Sequence, residues 1–137
     1  MKITTTILGL VCNITLLTVF GCSKAKQDAA VIQGTWQGQE NGGASSLVLT
    51  GNNLEFHGAD AEEWYKGTFT LPDDVSPKQM IIVITDCPFP QYVGKTANAI
   101  YTIENGTWTI AGNEPGNPAF PAGLHAKGVR TIAFKMK

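Results

Sequence analysis

From residue 31 to the C-terminus, apolar and polar side chains alternate over short runs, and nothing repeats at the 3.6-residue period of an amphipathic helix. Alternation with period two is the pattern of strands with one face buried. Eight runs carry it: 32–39, 46–50, 54–57, 63–71, 80–85, 97–104, 107–111 and 128–136. Parity then sorts the side chains by face. Ile32 and Trp36 share one face, as do Leu47 and Leu49, Leu54 and Phe56, and Tyr65, Phe69 and Leu71. The same face continues through Ala99, Tyr101 and Ile103, then Trp108 and Ile110, then Ile132, Phe134 and Met136. Arg130 has the parity of that last trio, which turns it inward near one end of the fold. The run 80–85 is apolar on both faces, so its parity stays open.

The breaks between runs have their own chemistry. Asn41-Gly42-Gly43 and Gly51-Asn52-Asn53 tolerate the positive φ that tight hairpins require. Asn105-Gly106, between Ile103 and Trp108, is the strongest two-residue hairpin signal in the chain. Pro72-Asp73-Asp74 and Pro77 bound a further turn. Two connections are longer: Cys87-Pro88-Phe89-Pro90 through Gly94, and 112–123 with Pro115, Pro118 and Pro121. Prolines cannot donate to a strand ladder, so these segments are loops. Eight strands joined in sequential hairpins predict an all-β, antiparallel, up-and-down barrel over 31–137, in which closure removes exposed sheet edges.

The N-terminus follows a different pattern. Lys2 is the only charge before an 18-residue uncharged run, 3–20, interrupted by Thr4, Thr5, Thr6, Asn13, Thr15 and Thr18. The run lies at the lower limit for spanning a bilayer, and it closes on Leu16-Leu17-Thr18-Val19-Phe20-Gly21-Cys22. A small residue directly before a cysteine resembles a bacterial lipoprotein signal. The resemblance implies that residues 1–21 are removed as a signal peptide and that Cys22 is lipidated and held in a membrane. A plain membrane anchor or an ordinary cleaved signal is the alternative. Ser23, where an Asp would imply inner-membrane retention, points to the outer membrane, facing the periplasm or the surface. Residues 22–30 are then a polar tether, its last eight residues reaching at most about 27 Å when extended.

Composition narrows the functions that remain. The chain has 137 residues with 10 basic and 11 acidic side chains. Loss of the first 21 removes Lys2 and leaves one 116-residue domain with a net charge of −2. Such a surface has no electrostatic basis for binding nucleic acid. Of the three cysteines, Cys12 leaves with the signal and Cys22 takes the lipid, so Cys87 stands alone. A Cys22–Cys87 bridge is open only where lipidation fails. No cysteine or histidine spacing suggests a metal, and no cofactor motif is present.

Gly34-Thr35-Trp36 on the first run, with Arg130 on the last, resembles the G-x-W and arginine pair of the lipocalin-type barrels, which implies that Arg130 lies across Trp36 and closes one end. The wider order is Ser46 to Thr50, Lys66-Gly67-Thr68-Phe69-Thr70-Leu71, Ala99-Ile100-Tyr101, Trp108-Thr109-Ile110, Pro115-Gly116 and Pro118-Ala119-Phe120. It is similar to a planctomycete-type family of small lipocalin-like bacterial domains of uncharacterised function. The chain departs from that pattern in a shortened first loop and in the Asn105-Gly106 turn, where an acidic turn is usual. The resemblance implies a fold and brings no catalytic residues with it.

The candidate chemistry is sparse. His57 has outward parity and His125 sits in a loop, so neither histidine has a reason to meet a partner for acid–base work. Glu62-Glu63 and Asp73-Asp74 read as solvated charge. No Gly-x-Ser-x-Gly elbow exists, and Cys87 reads as a small buried apolar residue rather than a reactive thiol. The expectation is a non-catalytic protein. Seven large side chains (Trp36, Phe56, Tyr65, Phe69, Tyr101, Trp108 and Phe134) fill most of the interior and leave a modest apolar pocket at one mouth. Tyr65, Tyr101 and Trp108 are its expected ligand-binding residues, the two tyrosines as polar handles because a buried phenol needs a hydrogen-bond partner. The first reading is therefore a monomeric membrane-tethered module for a small apolar ligand. The alternative is an envelope interaction protein or inhibitor that uses its proline loops, with outward Trp64 in the contact patch.

Overall fold

The structure, a computed structural model, describes residues 23–40 and 42–137. The apolar N-terminal run, Cys22 and the turn residue Asn41 lie outside the described residues. The strands expected from alternation form as β1 Gly34–Glu40, β2 Gly43–Thr50, β3 Asn53–His57, β4 Trp64–Thr70, β5 Gln79–Asp86, β6 Thr96–Glu104, β7 Thr107–Gly112 and β8 Arg130–Met136. Each pairs antiparallel with the next, and β8 returns to β1 through Trp36↔Met136 and Gly38↔Phe134, so the sheet closes into an eight-stranded up-and-down barrel.

Parity holds along most of the wall. Trp36, Leu47, Leu49, Leu54, Phe69, Ala99, Tyr101, Trp108, Ile132 and Phe134 are buried in one core, with Phe56, Leu71, Ile103 and Ile110 packed against it. The strand left open by its sequence turns Met80, Ile82 and Ile84 inward and leaves Val83 on the outside. Met136 departs from expectation. It shares the inward parity but sits on the last rung of β8, at the rim, and is half exposed. Ile100 and Ala111 depart in the other sense, being buried on the outer face. The 113–121 loop lies back over this side, where Asn98 Nδ2 donates to Pro118 O at 3.0 Å.

Two local features shape the barrel. Asn105 and Gly106 both take positive φ, the conformation a two-residue turn needs to match strand twist, and they join β6 to β7. Between β4 and β5 the register shifts at Lys66/Gly67, with Thr85 as the extra residue of a bulge. The backbones come so close there that a Cβ on Gly67 would lie 2.2 Å from Val83 O.

Most of the segment expected as a tether forms a helix, α1 Lys24–Val31. Ser23 caps it, its hydroxyl accepting from Lys26 N at 3.3 Å. The helix then docks on the barrel end formed by the β2–β3 turn and the β4–β5 loop. Ile32 inserts fully buried into the core. Trp36 Nε1 donates to Ile32 O at 2.8 Å, and Gln33 exchanges two hydrogen bonds with the Gly51 backbone. The buried Asp28 carboxylate accepts from Lys78 Nζ and from the Tyr101 hydroxyl, each at 2.8 Å. This end is sealed.

Candidate ligand site at the open end

The opposite end carries the long connections: 58–63, 87–95 and 113–129. Below them a cavity of about 190 Å³ enters the barrel, its walls almost wholly apolar. Its room has a source in the sequence. On the β6–β7 side the lining includes the small residues Ala97, Ala99 and Gly112 beside Ile110, and a Cβ added at Gly112 would meet only Ala99 Cβ, at 3.9 Å. The rest of the wall includes Leu47, Phe56, Ile84 and Phe134.

Aromatic rings run from this wall to the rim. Phe134 meets Phe56 edge-on at 6.4 Å, Phe56 meets Tyr65 at 6.3 Å, Tyr65 meets Phe89 at 5.9 Å and Phe89 meets Tyr92 at 6.1 Å. Such pairs are worth about 0.5–1.5 kcal/mol each beyond the area they bury. Phe89 is held in its turn by Cys87, whose thiol donates to Phe89 O at 3.1 Å. Tyr92 then donates to Glu114 Oε1 at 2.8 Å, which ties the two proline-containing loops into one rim.

Arg130 sits at the mouth as expected from its parity, but Trp36 is not its partner. Trp36 faces Met136 across the seam, six residues along β8 from Arg130, a separation of about 20 Å at strand rise. The G-x-W and arginine pairing implied by the lipocalin-type resemblance therefore does not form. Trp36 packs at the sealed end, edge-on to Trp108 at 5.4 Å. Arg130 instead lies 5.2 Å over the Phe56 ring. Its Nε and Nη2 donate to the Glu40 carboxylate, both at 2.9 Å, and its Nη1 and Nη2 donate to Glu63 at 3.0 and 2.8 Å. Burial alone would lower the guanidinium's pKa; the hydrogen bonds and charges of Glu63 and Glu40 outweigh it and hold the pKa well above the usual arginine value. Glu63, expected as solvated charge, is thus the partner of a residue 67 positions away. Nothing in local spacing signals such a pair.

The three expected ligand contacts separate. Tyr65 lines the cavity, and its hydroxyl makes no hydrogen bond within the described protein. Burial, reinforced by the Glu63 charge, pushes its phenol up to about 12. Tyr101 points to the sealed end, where its hydroxyl is spent on Asp28. Trp108 is fully buried in the floor of the core, and its indole N–H has no partner among the described residues. Neither lines the cavity.

The remaining candidates are peripheral. His57 is exposed and pairs with Glu55 at 2.7 Å, and His125 is exposed in its loop. Trp64 does share its barrel end with the proline loops, with Lys66 Nζ 5.6 Å from its ring. Among the described residues no three His, Cys, Asp or Glu side chains converge as a metal-binding group. Comparison with known protein families, with curated proteins and with solved structures finds no match for this chain.

Proposed function

We propose that the protein is a non-catalytic binding module for a small apolar ligand, exported and held at the outer membrane by a lipid on Cys22. The observation that carries this reading is a deep apolar cavity, about 190 Å³, open at one end of a barrel whose other end is sealed by α1 and Ile32. An apolar cavity of about 150 Å³ suffices for benzene, whereas drug-sized ligands take roughly 300 Å³ or more. The occupant is a single ring or short chain, or the end of a longer one. With the lipid on Cys22, directly before Ser23 and α1, the sealed end faces the bilayer and the mouth faces away from it.

The test is binding of an environment-sensitive apolar dye and its displacement by small hydrocarbons, with native mass spectrometry of the isolated domain for a co-purified ligand. Ala99→Leu, or Ala97→Leu nearer the mouth, should fill the space and abolish binding while leaving the thermal transition intact. Undiminished binding in both variants would place the ligand elsewhere and defeat the proposal.

A second reading, protein contact through the loops, draws on the rim that Tyr92 and Glu114 build beside the exposed Val93. Partner capture that survives filling of the cavity but fails on deletion of 114–122 would favour it.

A further inference from the structure

Among the described residues Arg130 is the only charged side chain lining the cavity. An arginine at the mouth of an apolar pocket ordinarily marks a carboxylate site, because its planar fork matches two carboxylate oxygens. Here the fork is occupied. A guanidinium has five N–H donors, and four of them go to Glu40 and Glu63. Both carboxylates are themselves largely withdrawn from water, at 16 % and 25 % side-chain exposure. Two carboxylates around one guanidinium leave the cluster net negative. A third carboxylate could take two prongs of the fork only by displacing one of them, leaving a half-buried Glu without its partner, at a cost softened by solvent because Arg130 keeps 44 % of its side chain exposed.

Tyr65 supplies what the cavity offers a ligand instead. Its ring is held between Phe56 and Phe89, the residue lines the cavity, and its hydroxyl has no hydrogen-bond partner among the described residues. A neutral phenol donates well to a carbonyl or hydroxyl oxygen. Burial and the Glu63 charge keep it protonated throughout the physiological range.

We infer that the cavity selects uncharged molecules, an apolar body of about one aromatic ring with a neutral oxygen for Tyr65, and that Glu40 and Glu63 are the residues that exclude carboxylates. The inference rests on the cavity being a ligand site, and the experiment separates the two. Toluene, acetophenone, benzoate and benzylammonium are titrated into the soluble domain at neutral pH by ligand-observed NMR. Toluene has no head group and reports the cavity alone. Acetophenone and benzoate have the same number of heavy atoms and differ mainly in charge.

Acetophenone should bind about tenfold or more tightly than benzoate, the scale of one compromised charged hydrogen bond. Replacing both Glu40→Gln and Glu63→Gln should strip the guanidinium of its two counter-charges and narrow or reverse that ratio. Tyr65→Phe should lower the affinity for acetophenone relative to toluene. Benzoate binding the native protein as tightly as acetophenone, or benzylammonium binding more tightly than either, overturns the selectivity while leaving the cavity a ligand site; both comparisons use the unaltered protein, so neither depends on a variant that folds. An unchanged ratio in a folded double variant removes Glu40 and Glu63 from the role. Absence of toluene binding defeats the ligand-site reading, and this inference falls with it.

Discussion

The Tyr101 hydroxyl, on the inner wall of β6, donates to Asp28 Oδ2 at 2.8 Å, seventy-three residues earlier in the chain. Lys78 Nζ, from the β4–β5 connection, reaches the same oxygen at 2.8 Å and lies 5.7 Å from the Tyr101 ring. One carboxylate thereby fastens a helix of two turns to the barrel it closes. A helix this short has little stability of its own, so its place depends on this contact and on Ile32.

Asp28→Ala should therefore cost about 2–3 kcal/mol, the scale of lost hydrogen bonds to a charged group, placed below the fully buried limit because Lys78 keeps 32 % of its side chain exposed. Asp28→Asn retains an acceptor for Tyr101 and should cost less. Urea unfolding at constant m would measure both. A loss under about 0.5 kcal/mol for the alanine variant would show that α1 is held by other means.

Gly67→Ala should be among the most damaging single methyl additions in the barrel. The new Cβ meets backbone, Val83 O at 2.2 Å and Val83 C at 3.1 Å, and a strand carbonyl cannot rotate aside as a side chain can. Overpacking commonly costs about 1–3 kcal/mol, and this site should reach or exceed the upper figure. Gly112→Ala is the control, since its Cβ finds only Ala99 at 3.9 Å. Thermal unfolding of the two variants side by side should separate them clearly, and equal transitions would contradict the bulge geometry.

All three tyrosines titrate late. Tyr65 is pushed up to about 12 by burial and then by Glu63. Tyr101 is raised by burial and by its bond to Asp28, and Tyr92 by its bond to Glu114. Below the ordinary phenol value of about 10 both folded and unfolded chains are protonated and stability is flat in this respect. Above it the unfolded chain loses protons first, so stability should fall as pH rises from about 10 toward 12. Phenolate absorbance should show a native midpoint displaced upward from that of the urea-unfolded chain. Coincident midpoints would refute the burial of Tyr65 and Tyr101.

Cys22→Ala should leave an uncleaved, unmodified precursor and abolish incorporation of labelled fatty acid. The motive is the uncharged run ending in Gly21-Cys22. Labelling that persists in this variant would end the lipid-anchor proposal, and with it the orientation of the cavity mouth away from the bilayer.

Strand number and facing were legible in the sequence because both depend on nearest neighbours. Side chains two apart share a face, and residues such as Asn105-Gly106 accept a turn conformation that others resist. The antiparallel barrel follows from eight such strands in a row. The site did not follow. The 22–30 segment shows no apolar stripe, and what orders it is one carboxylate meeting a phenol and an ammonium from distant strands and loops. Parity turns Arg130 inward, yet Trp36, the partner the resemblance implies, is not the one it meets, because the meeting of β8 with β1 accumulates the register of every hairpin between them. That register sets Trp36 opposite Met136 and brings Glu40 and Glu63, ninety and sixty-seven residues away, to Arg130. Which inward residues fill the core and which line a cavity was decided in the same way, by the small Ala97, Ala99 and Gly112 coming together on one wall. Alternation along a strand is a local property, whereas stagger around a closed barrel is a property of the whole sheet.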